Sequence, residues 1–283
     1  AGTEAITRAA ALLKDWVDAV NVTDNQGSNV RLASWAGSLA LINAGLEPVM
    51  QMTCRDRNRI ALQSDLLGAC ALGIRNVLVM TGDHPKFGDH PGAKPVFDLD
   101  SVQLLWTLRT MRDQHILLSG RRLDPAPECF LGAVENPFAP PAAFRAERLG
   151  KKVAAGAQFV QTQFVFDVPA FARWMGQVRD LGLPERCAIL PGVGAVRSRR
   201  ALDFMRDQVP GVHVPDDVYR RLTGVPPDRT AAEGVTVAAE TVRQLAGIPG
   251  VAGVHLLVAG NEQAVPAILD EAGVTAARGP DGR

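Results

Sequence analysis

Asp83 follows Gly82 at the end of an apolar run, Val77 to Met80, and a loop rich in Gly, Pro and His comes next. A carboxylate behind a glycine at the mouth of a buried segment can place a fixed negative charge against a ligand, because the missing Cβ lets the backbone come close. Similar endings recur along the chain: Thr23-Asp24-Asn25, Gln51 with Thr53-Cys54-Arg55-Asp56, Thr81-Gly82-Asp83, Glu135-Asn136-Pro137 and Gln161-Thr162-Gln163. Any one of them could simply cap the next helix. Five together, with Gln51, Gln161 and Gln163 inside apolar runs, exceed what capping needs. Buried amides require partners, and a ligand with amide-like edges supplies them. Gln161 and Gln163 have the i, i+2 spacing that puts side chains on one face of a strand.

These positions are rich in hydrogen-bonding groups and poor in nucleophiles. No Ser-His-Asp grouping, GxSxG or phosphate loop is present, and "GVGAVR" (Gly192 to Arg197) lacks the third glycine of a dinucleotide fingerprint. Such a set suits a bound planar cofactor that carries the chemistry itself. Arg145, Arg148, Lys151 and Lys152 lie at i, i+3, i+6 and i+7, so one helix face is basic. That face is either a solvated surface or a phosphate site, and spacing alone does not choose. The repeated "GDHP" offers Asp83, His84, Asp89 and His90, but the intervening Pro and Gly spread these groups and no third cluster completes a ligand set, so no metal is expected.

The elements that must position these groups alternate regularly. Strand-like runs cover 19–23, 48–53, 76–81, 129–134, 158–163, 187–190 and 253–258. Helix-period stretches cover 31–43, 58–72, 101–112, 141–154, 169–181, 231–246 and 261–272. Gly45, Gly73, Gly156, Gly182 and Gly273 stand where helices should stop. The spacing predicts an α/β fold, a (β/α)8 TIM barrel, as one domain over 1–274, with function at the C-terminal ends of the strands. Seven strands are visible, and the chain opens on a helix, "TEAITRAAALLKDW". A closed barrel therefore needs a first strand upstream of residue 1. The tail Thr275 to Arg283 is expected to be disordered.

Formal net charge is zero, from 30 basic and 30 acidic residues, which argues against a nucleic-acid partner. No apolar run approaches the roughly 18 residues of a membrane span. Cys54, Cys70, Cys129 and Cys187 are far apart in sequence and form no CxxC. They read as reduced thiols of a cytoplasmic protein.

Three long stretches resemble one family. They are "EPVMQMTCRDRNRIALQSDLLGACALGIRNVLVMTGDHPKFGDHP" (Glu47 to Pro91), "KKVAAGAQFVQTQFVFD" (Lys151 to Asp167) and "VPGVHVPDDVYRRL" (Val209 to Leu222). They resemble methylenetetrahydrofolate reductases, flavoproteins on a (β/α)8 barrel, and the similarity runs from Ala1 to about Gly273. The resemblance implies that Thr23, Gln51, Thr81, Gly82 and Asp83 line a flavin, FAD or else FMN. It places Asp83 beside both the flavin ring and the folate. It makes Asn136 a flavin contact and puts Lys152, with Arg148 on the same basic face, near the cofactor's phosphates. It implies that Gln163 bonds the pterin and Phe204 packs on the folate. Asn261 stands where several relatives carry an arginine that meets the folate.

The implied reaction uses NADH or NADPH to reduce the flavin, which then reduces 5,10-methylenetetrahydrofolate to 5-methyltetrahydrofolate through a cationic iminium. A negative Asp83 favours that cation. The family's general acid, a glutamate on the first strand before a Pro-Pro turn, has no counterpart in these 283 residues, and Glu4 on the first helix does not replace it. Two alternatives stay open: a non-catalytic flavin- or folate-binding subunit, and a reductase of another cyclic imine or one using a deazaflavin. A homo-oligomer is compatible with either.

Overall fold

The computed structural model describes residues 2–258 and 260–274. The expectation for the tail from 275 onward lies outside the described residues. Elements follow in the order α1 (Glu4–Leu13), β1 (Ala19–Val22), α2 (Ser34–Asn43), β2 (Glu47–Thr53), α3 (Arg59–Ala71), β3 (Asn76–Met80) and α4 (Ser101–Gln114). Then come β4 (Phe130–Glu135), α5 (Arg145–Ala155), β5 (Phe159–Phe164), α6 (Val168–Asp180), β6 (Ala188–Val193), α7 (Arg199–Gln208), α8 (Asp216–Thr223), α9 (Thr230–Ala246), β7 (His255–Leu256) and α10 (Ala264–Ala272). The strands form an all-parallel sheet of seven in chain order. Among the described residues the strand count is thus seven, not the eight of a complete (β/α)8 barrel.

The chain divides into two compact units, 1–133 with 151–158, and 134–150 with 159–283. In the first, β1 pairs with β2, β2 with β3 and β3 with β4, all parallel. The interior residues Val77, Leu78 and Val79 of β3 are fully buried, as are Met50 and Met52 of β2. Strands covered on both faces read as continuous apolar runs, which is why these segments were legible. Helix starts follow side-chain chemistry. The Asn58 side chain accepts from the N–H groups of Ile60 and Ala61 at the start of α3, and Asp100 and Gln103 form a reciprocal capping box on α4.

In the second unit β5 pairs with β6 and β6 with β7. Asp167 caps α6 and Ser198 caps α7. Phe166, Val196, Leu202, Val212, Val214, Leu222 and Val237 form a buried cluster beneath α7 and α8. These two short helices were not read separately from the sequence. Their surfaces are mostly charged, and Pro210, Gly211 and Pro215 interrupt any long period. All five expected helix-stop glycines do adopt positive φ, from 61° to 126°. No helix among the described residues is long and apolar enough to cross a membrane.

His255, in β7 opposite Gly192, is largely buried, and burial pushes its pKa down to about 4. Its unfolded value is near 6.5. Above that pH both states are neutral and the residue contributes nothing to the pH dependence. As pH falls toward 4 the unfolded chain takes up a proton that the native state refuses, so stability drops, by about 2–3 kcal/mol in all. Urea titrations between pH 7 and pH 4 should show this acid-side loss. His255→Gln should flatten it, and an unchanged slope would show that other groups cause it.

Candidate active site

The C-terminal ends of β1, β2 and β3 lie side by side in the first unit. Register pairs Val22 with Met50, Gln51 with Leu78 and Thr53 with Met80, so Thr23 follows directly beside Gln51. Beneath these ends lies a charged layer. The buried Asp24 carboxylate accepts from the Thr53 N–H at 2.8 Å, from the Thr53 hydroxyl at 2.9 Å and from Arg57. Arg57 also pairs with Asp65 at 2.9 Å.

Arg55 is 2% exposed. Its guanidinium grips Asp56 through two contacts of 2.7 Å and also donates to the Ser28 hydroxyl (3.0 Å), the Asn25 carbonyl (3.2 Å) and the Asp83 carbonyl (3.3 Å). The hydrogen bond with Asp56 raises the Arg55 pKa further and holds the Asp56 carboxyl below its usual range. A buried cation so heavily engaged is a brace. It ties the segment after β1 to the segment after β3.

The brace fixes the backbone of Asp83 and leaves its side chain unused. The Asp83 carbonyl accepts from Ser28 Oγ at 2.9 Å as well as from Arg55, while the carboxylate is exposed. Gly82 has φ of 90°, and a Cβ there would sit 3.1 Å from Thr53 Cβ and 3.2 Å from Arg55 Cβ. Gly82→Ala should therefore cost about 1–3 kcal/mol from backbone strain alone. Thermal denaturation of the variant checks this, and an unchanged midpoint would mean the strand end is free to move.

The long loop after β3 is tethered to the same strand ends. Asp89 accepts from the Val30 N–H at 3.1 Å, and the Val96 N–H donates to the Arg55 carbonyl at 2.8 Å. Arg59 and Asp98 form a two-pronged pair, each contact 2.8 Å. Gly88 packs so closely that a Cβ would fall 1.8 Å from the Ser28 carbonyl oxygen. In the second "GDHP", Asp89 contacts His90 Nδ1 at 2.9 Å, and in the first the His84 ring caps the Lys86 N–H. Loop anchoring thus occupies Asp89 and His84.

The remaining sequence-predicted residues distribute as follows. Lys152, in the last turn of α5, belongs to the first unit and is 2% exposed. In the second unit, Glu135 closes β4 as a buried carboxylate, with Arg148 at 3.2 Å and Arg145 at 3.8 Å. Arg145 also donates to the carbonyls of Ala139 and Pro140. The expected basic face is therefore uneven: Arg145 and Lys152 are buried, Arg148 is partly exposed and Lys151 is exposed.

The Asn136 side chain donates to the Pro210 carbonyl (3.2 Å) and accepts from the Phe138 N–H (3.2 Å). Gln163 accepts from the Phe164 N–H at 3.1 Å. A register shift between Gln161 and Phe164 interrupts the alternation from which a shared face for Gln161 and Gln163 was expected. Phe204, on α7, is 60% exposed, and Asn261 precedes α10 and is partly buried.

Sequence reasoning singled out Arg55 only as part of a polar ending and missed Ser28. The alternating charges of Arg55-Asp56-Arg57 were the available signal.

The family model for methylenetetrahydrofolate reductase matches residues 1–273. The chain belongs to the methylenetetrahydrofolate reductase family. A probable methylenetetrahydrofolate reductase (NADPH) of Caenorhabditis elegans is 24% identical over 267 residues, which is 90% of this chain and 37% of that protein. A 5,10-methylenetetrahydrofolate reductase of Pectobacterium carotovorum is 26% identical over 203 residues, 71% of this chain and 61% of that protein. The chain thus spans about two-fifths of the length of the eukaryotic family members and about three-fifths of the bacterial one.

Among solved structures, a protein from Clostridium thermocellum that binds two copies of 5-methyl-5,6,7,8-tetrahydrofolic acid aligns with TM-score 0.66 at 13% identity, covering 95% of this chain and 87% of that one. DmoA from Hyphomicrobium sulfonivorans aligns with TM-score 0.58 at 11% identity, covering 97% and 83%. At these identities the likeness concerns the fold.

Proposed function

We propose that this reductase-family chain, on a (β/α)8-type scaffold, converts 5,10-methylenetetrahydrofolate to 5-methyltetrahydrofolate, with a flavin at the ends of β1 to β3 and NADH or NADPH as reductant. One observation carries the reading. Among the described residues, the side chains of Thr23, Gln51, Thr81 and Asp83 make no hydrogen bond, although all four stand at adjoining strand ends around the glycine backbone of residue 82. A braced platform with unused hydroxyl, amide and carboxylate groups fits the polar edge of a flavin.

When bound, the flavin supplies an acceptor and then a donor of hydride. The chain's own residues do the rest. Gln51 and Thr23 offer donors and acceptors to the ring edge, and Gly82, whose missing Cβ makes room for Thr53 and Arg55, sets the backbone that presents Asp83. Asp83 contributes a fixed negative charge that favours the substrate's cationic iminium. On α5, Arg148 and Lys152 are assigned to the cofactor's phosphates. Arg145 beside Arg148 means that two guanidiniums face the Glu135 carboxylate, which keeps positive charge available there. In the second unit, Asn136, which donates to the Pro210 carbonyl, is assigned to cofactor binding, and Gln163, Phe204 and Asn261 to folate recognition.

The test is incubation of the purified chain with FAD or FMN, desalting, and anaerobic addition of NADH or NADPH. A retained visible flavin band that bleaches is the expected result. A colourless protein after desalting would remove the flavin from the account.

A further inference from the structure

Two of the four cysteines, far apart in sequence, meet in the first unit. Cys70 lies in the last turn of α3, and Cys129 immediately precedes β4. The Cys70 thiol donates to the carbonyl oxygen of Glu128, the neighbour of Cys129, at 3.6 Å, and the two thiols lie close enough to shift each other's titration. Both are partly exposed, whereas Cys54 and Cys187 are buried. The backbone on either side is pinned: Arg75 donates to the Glu128 carbonyl (3.3 Å), Arg112 to the Cys129 carbonyl (3.2 Å), and the Phe130 N–H to the Arg75 carbonyl (2.7 Å). Nothing in the proposed reductase chemistry uses this pair.

We propose that Cys70 and Cys129 are an oxidation site, which a hydroperoxide converts to an intrachain disulfide. The two sulfurs have distinct parts. Interaction with the Cys129 thiol, then the Arg75 charge, lowers the Cys70 pKa, and the neighbouring Cys70 raises that of Cys129. Burial pushes Cys54 and Cys187 up to about 12, so neither competes.

The Cys70 thiolate attacks one peroxide oxygen, the O–O bond breaks, and hydroxide leaves. Sulfur is oxidised by two electrons to the sulfenic acid and the peroxide is reduced. Cys129 then loses its proton as its sulfur attacks that of Cys70, and the S–O bond breaks to release water. With hydrogen peroxide the sum is two thiols and one peroxide giving one disulfide and two waters. The resulting link closes a loop that contains Asp83, the tethered segment after it, and α4.

The experiment treats the full chain with a small excess of hydrogen peroxide and counts thiols under denaturing conditions. Titratable thiols should fall from four, the total in the sequence, to two. Peptide mapping should join the Cys70 and Cys129 peptides, and dithiothreitol should restore the original count. Cys129→Ser should stop at a Cys70 sulfenic acid that dimedone traps, and Cys70→Ser should keep all its remaining thiols. Retention of all four thiols in the unaltered chain, a link involving Cys54 or Cys187, a link between chains, or Cys70 sulfinic acid without the link would each overturn the proposal. None of these readouts depends on flavin or folate, so failure here is separable from failure of the reductase reading.

Discussion

Asp83→Asn should slow reduction of methylenetetrahydrofolate by roughly 10²-fold, while bleaching of the flavin by NADH or NADPH changes far less. The substitution is nearly isosteric, and the two bonds that hold residue 83, from Ser28 and Arg55, go to its backbone carbonyl. The strand end therefore stays in place and only the charge is lost. A cation that forms on the folate loses its fixed counter-charge, whereas hydride arrival from the nicotinamide does not create that cation. Stopped-flow measurement of the two half-reactions separates them. Equal slowing of both would indicate a general disturbance of the site, and no slowing of the folate half would remove Asp83 from the chemistry.

Asp24→Ala should destabilise the protein by about 3–5 kcal/mol. Asp24 is 6% exposed and accepts three hydrogen bonds, one from the Thr53 backbone, one from the Thr53 hydroxyl and one from Arg57. Its removal leaves the buried Thr53 N–H without an acceptor and the Arg57 cation with only its second carboxylate, Asp65. Asp24→Asn keeps an acceptor for Thr53 and should cost less. Equilibrium urea unfolding gives both values. A cost under about 1 kcal/mol for the alanine variant would show that the layer beneath the strand ends is not a stabilising one.

The regular elements were legible because their signals are local. Apolar runs such as Val77 to Met80 mark strands buried on both faces, and glycines such as Gly73 and Gly156 mark the left-handed stops between helix and strand. The polar strand endings were legible for the same reason. What holds those endings was not. Ser28 reaches Asp83 across 55 positions, and Arg55 reaches Asn25 and Asp83 in opposite directions along the chain.

On α5, the spacing of Arg145 and Arg148 gave a shared face, but only the fold puts the Glu135 carboxylate against them. The bulge near Gln163 leaves no mark in a two-residue alternation. Cys70 and Cys129 are distant in sequence and become neighbours only because β3 and β4 pair. The helices α7 and α8 are short, charged and bounded by prolines, so their packing over the cluster of Phe166 and Val237 is a tertiary fact.

The most direct test of the central claim is folate-dependent reoxidation. The flavin-loaded chain is bleached anaerobically with just enough NADH or NADPH, 5,10-methylenetetrahydrofolate is added, and the visible band is followed while products are identified by mass spectrometry. The oxidised band should return with formation of one equivalent of 5-methyltetrahydrofolate. A band that stays bleached, with the folate recovered unchanged, would contradict it and leave a protein that binds these molecules without reducing them.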